Sequence, residues 1–173
     1  MRKWRRGKMA NDLWRTPGQV FKYFNDQYDF QCDVAASDQN HLCDKYYTEE
    51  VNAIKWNWED EVFSGGFAWC NPPYSKPLPW VEKCITESQE SGIGSVILLN
   101  CDMSTRWAKL LTTISCEIIF ITEGRISFLD GEGNPAGGNN KSQVVFIIPP
   151  YVRPGEPVTK YLPLANIMED WIR

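Results

Sequence analysis

The stretch Gly66-Phe67-Ala68-Trp69-Cys70-Asn71-Pro72-Pro73-Tyr74-Ser75 decides how this chain is read. An apolar run ends abruptly on two prolines, the pattern of a buried strand that delivers a rigid loop. Proline locks its own φ and pushes the preceding residue out of the helical region, so Asn71 and Pro72 carry their carbonyl oxygens in a fixed arrangement. Downstream, Gly94 to Asn100 holds Val96, Ile97, Leu98 and Leu99 without interruption, which reads as a strand covered on both faces.

Outward from these two strands the pattern alternates. Thr16 followed by Pro17 reads as an N-cap with proline at the first helical position, opening a segment in which Val20, Phe21 and Phe24 share a face. Phe30 to Ala35 is a strand, Ser37 to Glu50 is polar and rich in turns, and Ala53 to Trp58 is a second extended run. A helix begins near Pro77 or Pro79 and carries Trp80, Val81, Cys84 and Ile85; Ser104 caps a short helix through Leu111. Strands follow at Glu117 to Thr122 and Val144 to Ile148, separated by a glycine-rich segment, Asp130 to Asn140, that holds no regular structure. Leu162 to Arg173 is a short packed helix. Strand, helix and strand in alternation predict an α/β fold, a mostly parallel sheet flanked by helices with ligands at the carboxyl ends of the strands.

With 173 residues, 43% of them hydrophobic, the chain can bury a real core yet has little room for a second domain. The division expected is a basic tail, residues 1–11, before a single domain, residues 12–173. No apolar run of about 18 residues exists to span a membrane, and the basic start lacks the apolar segment of a secretory signal, so the expected location is the cytoplasm. Five cations among the first eight residues, against a formal net charge of −4 for the whole, leave the rest of the chain acidic. It is no globally basic nucleic-acid binder, and Arg2, Lys3, Arg5, Arg6 and Lys8 are either a solvated tail or a contact to phosphate. Six cysteines at wide spacings contain no Cys-x-x-Cys pair, and Cys32, His41 and Cys43 lack zinc-knuckle spacing, so no metal is expected. A lone histidine also argues against nucleophilic Ser-His or Cys-His chemistry.

The Asn71 to Tyr74 tetrad suits one kind of chemistry. An exocyclic amine such as N6 of adenine delocalises its lone pair into the ring and attacks a methyl group poorly unless acceptors draw its hydrogens out of plane. The Asn71 side-chain oxygen and the Pro72 carbonyl are such acceptors, Pro73 stiffens the loop, and the Tyr74 ring can stack on the base. The competing reading is that Pro-Pro and an aromatic simply lead the chain out of a sheet. A methyl donor such as S-adenosylmethionine needs a carboxylate for its ribose hydroxyls and a helix start for its own carboxylate. Asp33, ending the first strand, and Thr16 with Pro17, opening the first helix, are placed for these two tasks; the competing reading of Asp33 is a carboxylate that caps a turn.

At these residues the chain resembles the small phage-type (Dam-type) DNA N6-adenine methyltransferases. Four blocks in order carry the resemblance: Asp12-Leu13-Trp14-Arg15-Thr16-Pro17, Phe30 to Ser37, Trp69 to Ser75, and Gly124-Arg125-Ile126-Ser127-Phe128. It implies a single-domain class I S-adenosylmethionine-dependent methyltransferase fold. It further implies S-adenosylmethionine as cofactor, adenine-containing DNA as partner, and a phage or prophage gene linked to defence against restriction. The same resemblance implies Asn71, Pro72, Pro73 and Tyr74 as catalytic, with Trp14, Thr16, Pro17, Asp33, Ala35 and Ser37 around the cofactor. Asn57 stands where the family often has aspartate, and its amide is a further cofactor candidate. On the substrate side the candidates are Tyr74, Ser75, Phe128 as an opposite wall to Tyr74, Arg125 and Lys141. Phe128 also reads as core and Arg125 as half of a salt bridge. The glycine-rich loop of methyltransferases at large is absent, replaced by Ala35-Ala36-Ser37-Asp38. Two other functions stay open: methyl transfer to RNA or a glutamine amide, and a non-catalytic DNA-binding module.

Overall fold

A computed structural model describes residues 10–151 and 155–169. The basic stretch from Arg2 to Lys8 lies outside the described residues.

The elements run α1 (Gly18–Tyr28), β1 (Phe30–Asp33), β2 (Phe67–Cys70), α2 (Leu78–Thr86), β3 (Gly94–Asn100), α3 (Arg106–Ile114), β4 (Glu117–Thr122), β5 (Gln143–Ile148), β6 (Val158–Pro163) and α4 (Leu164–Glu169). They build one six-stranded sheet in the order β1-β2-β3-β5-β4-β6. β1, β2 and β3 pair in parallel, β5 is antiparallel to both β3 and β4, and β6 is parallel to β4. Five strands therefore point one way and β5 runs against them.

The uninterrupted apolar stretch in β3 explains the layering. Successive side chains of a strand face opposite sides, so Val96 and Leu98 enter one core while Ile97 and Leu99 enter the other. The first core packs under Val20 and Phe24 of α1 and Ile167 of α4; the second packs under Val81 and Cys84 of α2 and Trp107, Ala108 and Leu111 of α3. Helices thus cover both faces, which is what a largely parallel sheet requires.

Three local expectations are corrected. Ala53 to Trp58 is not extended: the chain turns there, with Asn52 at φ +57°, and enters a 3-10 helix at Trp58–Asp60. Trp58 is fully buried and its indole N–H donates to the Ala53 carbonyl at 2.9 Å, so tertiary burial of one large ring overrides the strand propensity of the segment. Pro17, not Thr16, is the N-cap of α1, which leaves the Thr16 hydroxyl for another task. The chain before α4 forms the edge strand β6, whose side chains are mostly exposed and so carry no burial periodicity to read.

A fourth concerns α3. Its cap is Thr105, whose Oγ1 accepts from the Ala108 N–H at 3.3 Å, while the Ser104 hydroxyl donates to Asp102 at 2.6 Å. Urea denaturation should show Thr105→Ala losing about 1 kcal/mol and Ser104→Ala less than about 0.5 kcal/mol. The reverse ranking would return the cap to Ser104. No helix among the described residues is long and apolar enough to cross a membrane.

Candidate active site

Parallel pairing of β1 with β2 puts Asp33 opposite Trp69, so both strands release their chains at the same end of the sheet. The Val34 N–H donates to the Trp69 carbonyl at 3.0 Å, which locks the two exits together. At that end opens a cavity of about 540 Å³, within the size range of small-molecule and cofactor sites. Asn71, Pro72, Pro73 and Tyr74 all line it, as do Trp14, Thr16, Asp33, Ala35 and Ser37.

The hydrogen bonding of the tetrad loop is asymmetric. The Asn71 amide nitrogen donates to Thr16 Oγ1 at 2.9 Å, whereas its Oδ1 is buried and has no partner among the described residues. A buried carbonyl oxygen without a donor costs about 1–3 kcal/mol, a cost repaid when a ligand brings an N–H. The Pro73 carbonyl takes the Lys76 N–H at 3.3 Å, but no described residue donates to the Pro72 carbonyl. Two oxygens on consecutive residues are thus left to accept. Tyr74 Oη is likewise buried without a partner, and burial holds its phenol well above the ordinary range, so it stays a neutral donor.

Asp33 is only 4% exposed. Its carboxylate takes two backbone N–H groups, from Leu42 at 3.1 Å and Ala35 at 3.3 Å, so it does cap the turn it sits in while also lining the cavity. Burial pushes its pKa up to about 7; the Leu42 and Ala35 bonds and nearby His41 pull weakly the other way. The cavity wall next to Asp33 continues through residues between Ala35 and Ile54, fastened by Ala36 N–H to the Tyr47 carbonyl at 3.0 Å and Tyr47 N–H to the Asp33 carbonyl at 2.9 Å.

Other expected residues fall elsewhere. Pro17 and Asn57 do not line the cavity. Asn57 instead caps the 3-10 helix, its Oδ1 accepting from Glu59 N–H at 3.2 Å and its Nδ2 donating to the Glu59 carboxylate at 2.8 Å. Phe128 is no pocket wall. It is 1% exposed, stacks on Trp14 at 5.4 Å and meets Tyr74 edge-on at 5.8 Å, so it buttresses Tyr74 from behind. Ser75 lies outside the cavity lining, bonded to Asp12. Arg125 and Lys141 are exposed and also lie outside it, and no carboxylate among the described residues pairs with either side chain. His41 stacks on Tyr46 and its Nδ1 bonds the Cys43 carbonyl at 2.9 Å.

The structure adds residues that sequence reasoning did not single out, among them Asp12, Arg15, Tyr47, Thr48 and Asn52 at the cavity. Asp12 had a visible signal in the block that carries the resemblance. Thr48 and Asn52 had none, because an isolated polar residue in a turn-rich stretch gives no hint of which way it faces.

The family described as DNA N-6-adenine-methyltransferase (Dam) matches residues 5–170. The chain is 35% identical over 167 residues to the DNA N-6-adenine-methyltransferase of Haemophilus phage HP1, covering 94% of this chain and 92% of that one. It is 36% identical over 174 residues to the enzyme of the same name from Escherichia phage T1, covering 91% and 71%. A 75-residue stretch is 36% identical to the putative methyltransferase YfdM of Escherichia coli K12, covering 42% of this chain and 78% of that protein. No solved structure matches. Over nearly its whole length, then, the chain belongs to the DNA N-6-adenine-methyltransferase (Dam) family, and its enzyme class is that of an adenine-specific DNA methyltransferase.

Proposed function

We propose that the chain transfers a methyl group from S-adenosylmethionine to N6 of an adenine turned out of DNA, by direct in-line displacement within a single class I methyltransferase domain, residues 12–173. One observation carries the reading: Asn71 Oδ1 is buried, without a partner among the described residues and beside a cavity of cofactor size, while its amide nitrogen is tied back to Thr16.

The residues present fit the donor. Asp33 is a buried carboxylate for hydroxyl groups, and Trp14, Thr16, Ala35 and Ser37 line the cavity around it. When bound, S-adenosylmethionine supplies an electrophilic methyl on a sulfonium sulfur. The protein's part is to bind, orient and polarise. Asn71 Oδ1 and the Pro72 carbonyl accept the two hydrogens of the amine, which returns lone-pair density to the nitrogen, and the rigid Pro72-Pro73 backbone keeps both oxygens in register. Tyr74, held from behind by Phe128, presents its ring to the base. Turning the base out costs a few kcal/mol, offset by stacking and by these two acceptors.

Arg125 and Lys141, exposed and in no ion pair among the described residues, are the phosphate contacts we assign, and the basic residues of the 1–11 stretch are further candidates for the same role. Lys141→Ala should reduce the slope of log K against log salt for DNA binding by about 0.9. An unchanged slope removes Lys141 from the interface. We place the enzyme in the cytoplasm of a bacterial host, marking phage DNA against restriction.

The decisive experiment incubates the protein with methyl-labelled donor and separate pools of DNA, RNA and protein, then sequences DNA from a host lacking adenine methylation. Label in N6-methyladenine of DNA is the expected result. Label in RNA or in glutamine would redirect the assignment, and no label in any pool would leave only a binding module.

A further inference from the structure

The tetrad is held in place from outside its own loop. Both oxygens of the Asp12 carboxylate face Ser75, the residue directly after Tyr74: Oδ1 accepts the Ser75 N–H at 2.9 Å and Oδ2 accepts the Ser75 hydroxyl at 2.7 Å. Four residues further on, Thr16 Oγ1 accepts the Asn71 amide at 2.9 Å. The segment between them is itself anchored. Arg15 and Leu129 exchange both backbone hydrogen bonds, at 2.8 and 2.9 Å, and Trp14 stacks on Phe128. One short segment, distant in sequence from the loop, therefore grips both ends of the tetrad.

We propose that Asp12 and Thr16 are positioning residues for methyl transfer: Asp12 sets where the loop ends, and Thr16 sets which way the Asn71 amide faces. The inference rests on Asn71 Oδ1 being an acceptor for the reacting amine. Turning the amide over would aim N–H groups at the hydrogens of the substrate, and a donor facing a donor gains nothing. Thr16 holds Nδ2 and leaves Oδ1 free. A carboxylate accepting two bonds from one residue resists both sliding and rotation of the loop, since charge-assisted bonds are short and directional. Neither side chain needs to touch the reacting atoms.

The test measures single-turnover methylation rate, donor Kd and DNA Kd separately for each variant. Asp12→Ala should lower the rate about tenfold or more with both Kd values within about threefold of the parent, as expected when a reacting group is misplaced rather than lost. Asp12→Asn should recover most of that rate, because its amide oxygen still accepts the Ser75 N–H. Thr16→Val should lower the rate and Thr16→Ser restore it. Adding Ser75→Ala to Asp12→Ala should cost little more, since the two substitutions break one interaction. If Asp12→Ala does not fold, Asp12→Asn and Ser75→Ala carry the comparison alone. A parent-like rate in Asp12→Ala, multiplying losses in the double variant, or a Thr16→Val defect confined to donor Kd would overturn the proposal. Asn71→Ala serves as the control. Full activity there sinks the reading of the tetrad itself, whereas an inactive Asn71→Ala beside a fully active Asp12→Ala sinks only the positioning role.

Discussion

Asn71→Ala is expected to lower kcat by about a hundred- to a thousandfold while leaving donor affinity within about threefold. The side chain's oxygen has no partner among the described residues, so the hydrogen bond that the folded state loses with it is the one to Thr16. In the mechanism we propose, its acceptor matters only when an amine hydrogen leaves the plane of the base, a change that belongs to the transition state. Asn71→Asp makes a sharper comparison. It keeps an oxygen towards the amine but loses the N–H that Thr16 holds, and should retain more activity than alanine. Rapid-quench kinetics at saturating DNA and donor separate these outcomes; an alanine variant with parent-like turnover would remove the tetrad from the mechanism.

The second large effect concerns Asp33. If Asp33 holds the donor's hydroxyls as we propose, its replacement by alanine should weaken donor binding by about a hundredfold, since two hydroxyls bonded to a buried carboxylate contribute about 1.5–3 kcal/mol each before desolvation is counted. The raised pKa, about 7, gives the site a pH signature. Donor hydroxyls favour the ionised form, so calorimetric donor affinity should fall as pH drops below about 7 and level off above it, and Asp33→Asn should flatten the curve. The effect on the ligand-free fold has the opposite sign. Between its ordinary value and about 7 the folded state binds more protons than the unfolded one, so this group's contribution to stability falls as pH rises through that window. Affinity that is flat from pH 6 to 8 in the parent would contradict the role.

Much of the scaffold was legible because burial enforces pattern. β3 and β4 were read with the bounds they adopt, Gly94–Asn100 and Glu117–Thr122, since every residue of an inner strand must satisfy a covered face. Legibility failed where tertiary contacts decide. Trp58 drags its segment inward against local propensity, and β6 pairs through its backbone while its side chains face solvent. At the site, the tetrad announced itself because proline restricts conformation whatever the context. Phe128 did not: an aromatic near a pocket and an aromatic behind one have the same sequence signature, and only its 1% exposure separates them. The Asp12 grip on Ser75 joins residues 63 positions apart, so no local pattern encodes it.

The crossover from β1 to β2, where a parallel pair ordinarily routes through a helix, consists here mainly of turns and a single 3-10 turn. Two amides of this wall, on Ala36 and Tyr47, secure it beside Asp33. Deuterium uptake at those two positions should therefore slow on adding donor, while the amides of β3, already sealed between neighbouring strands, exchange as before. Occupancy of this enzyme becomes visible in the kinetics of its own backbone, with no need for turnover or for DNA.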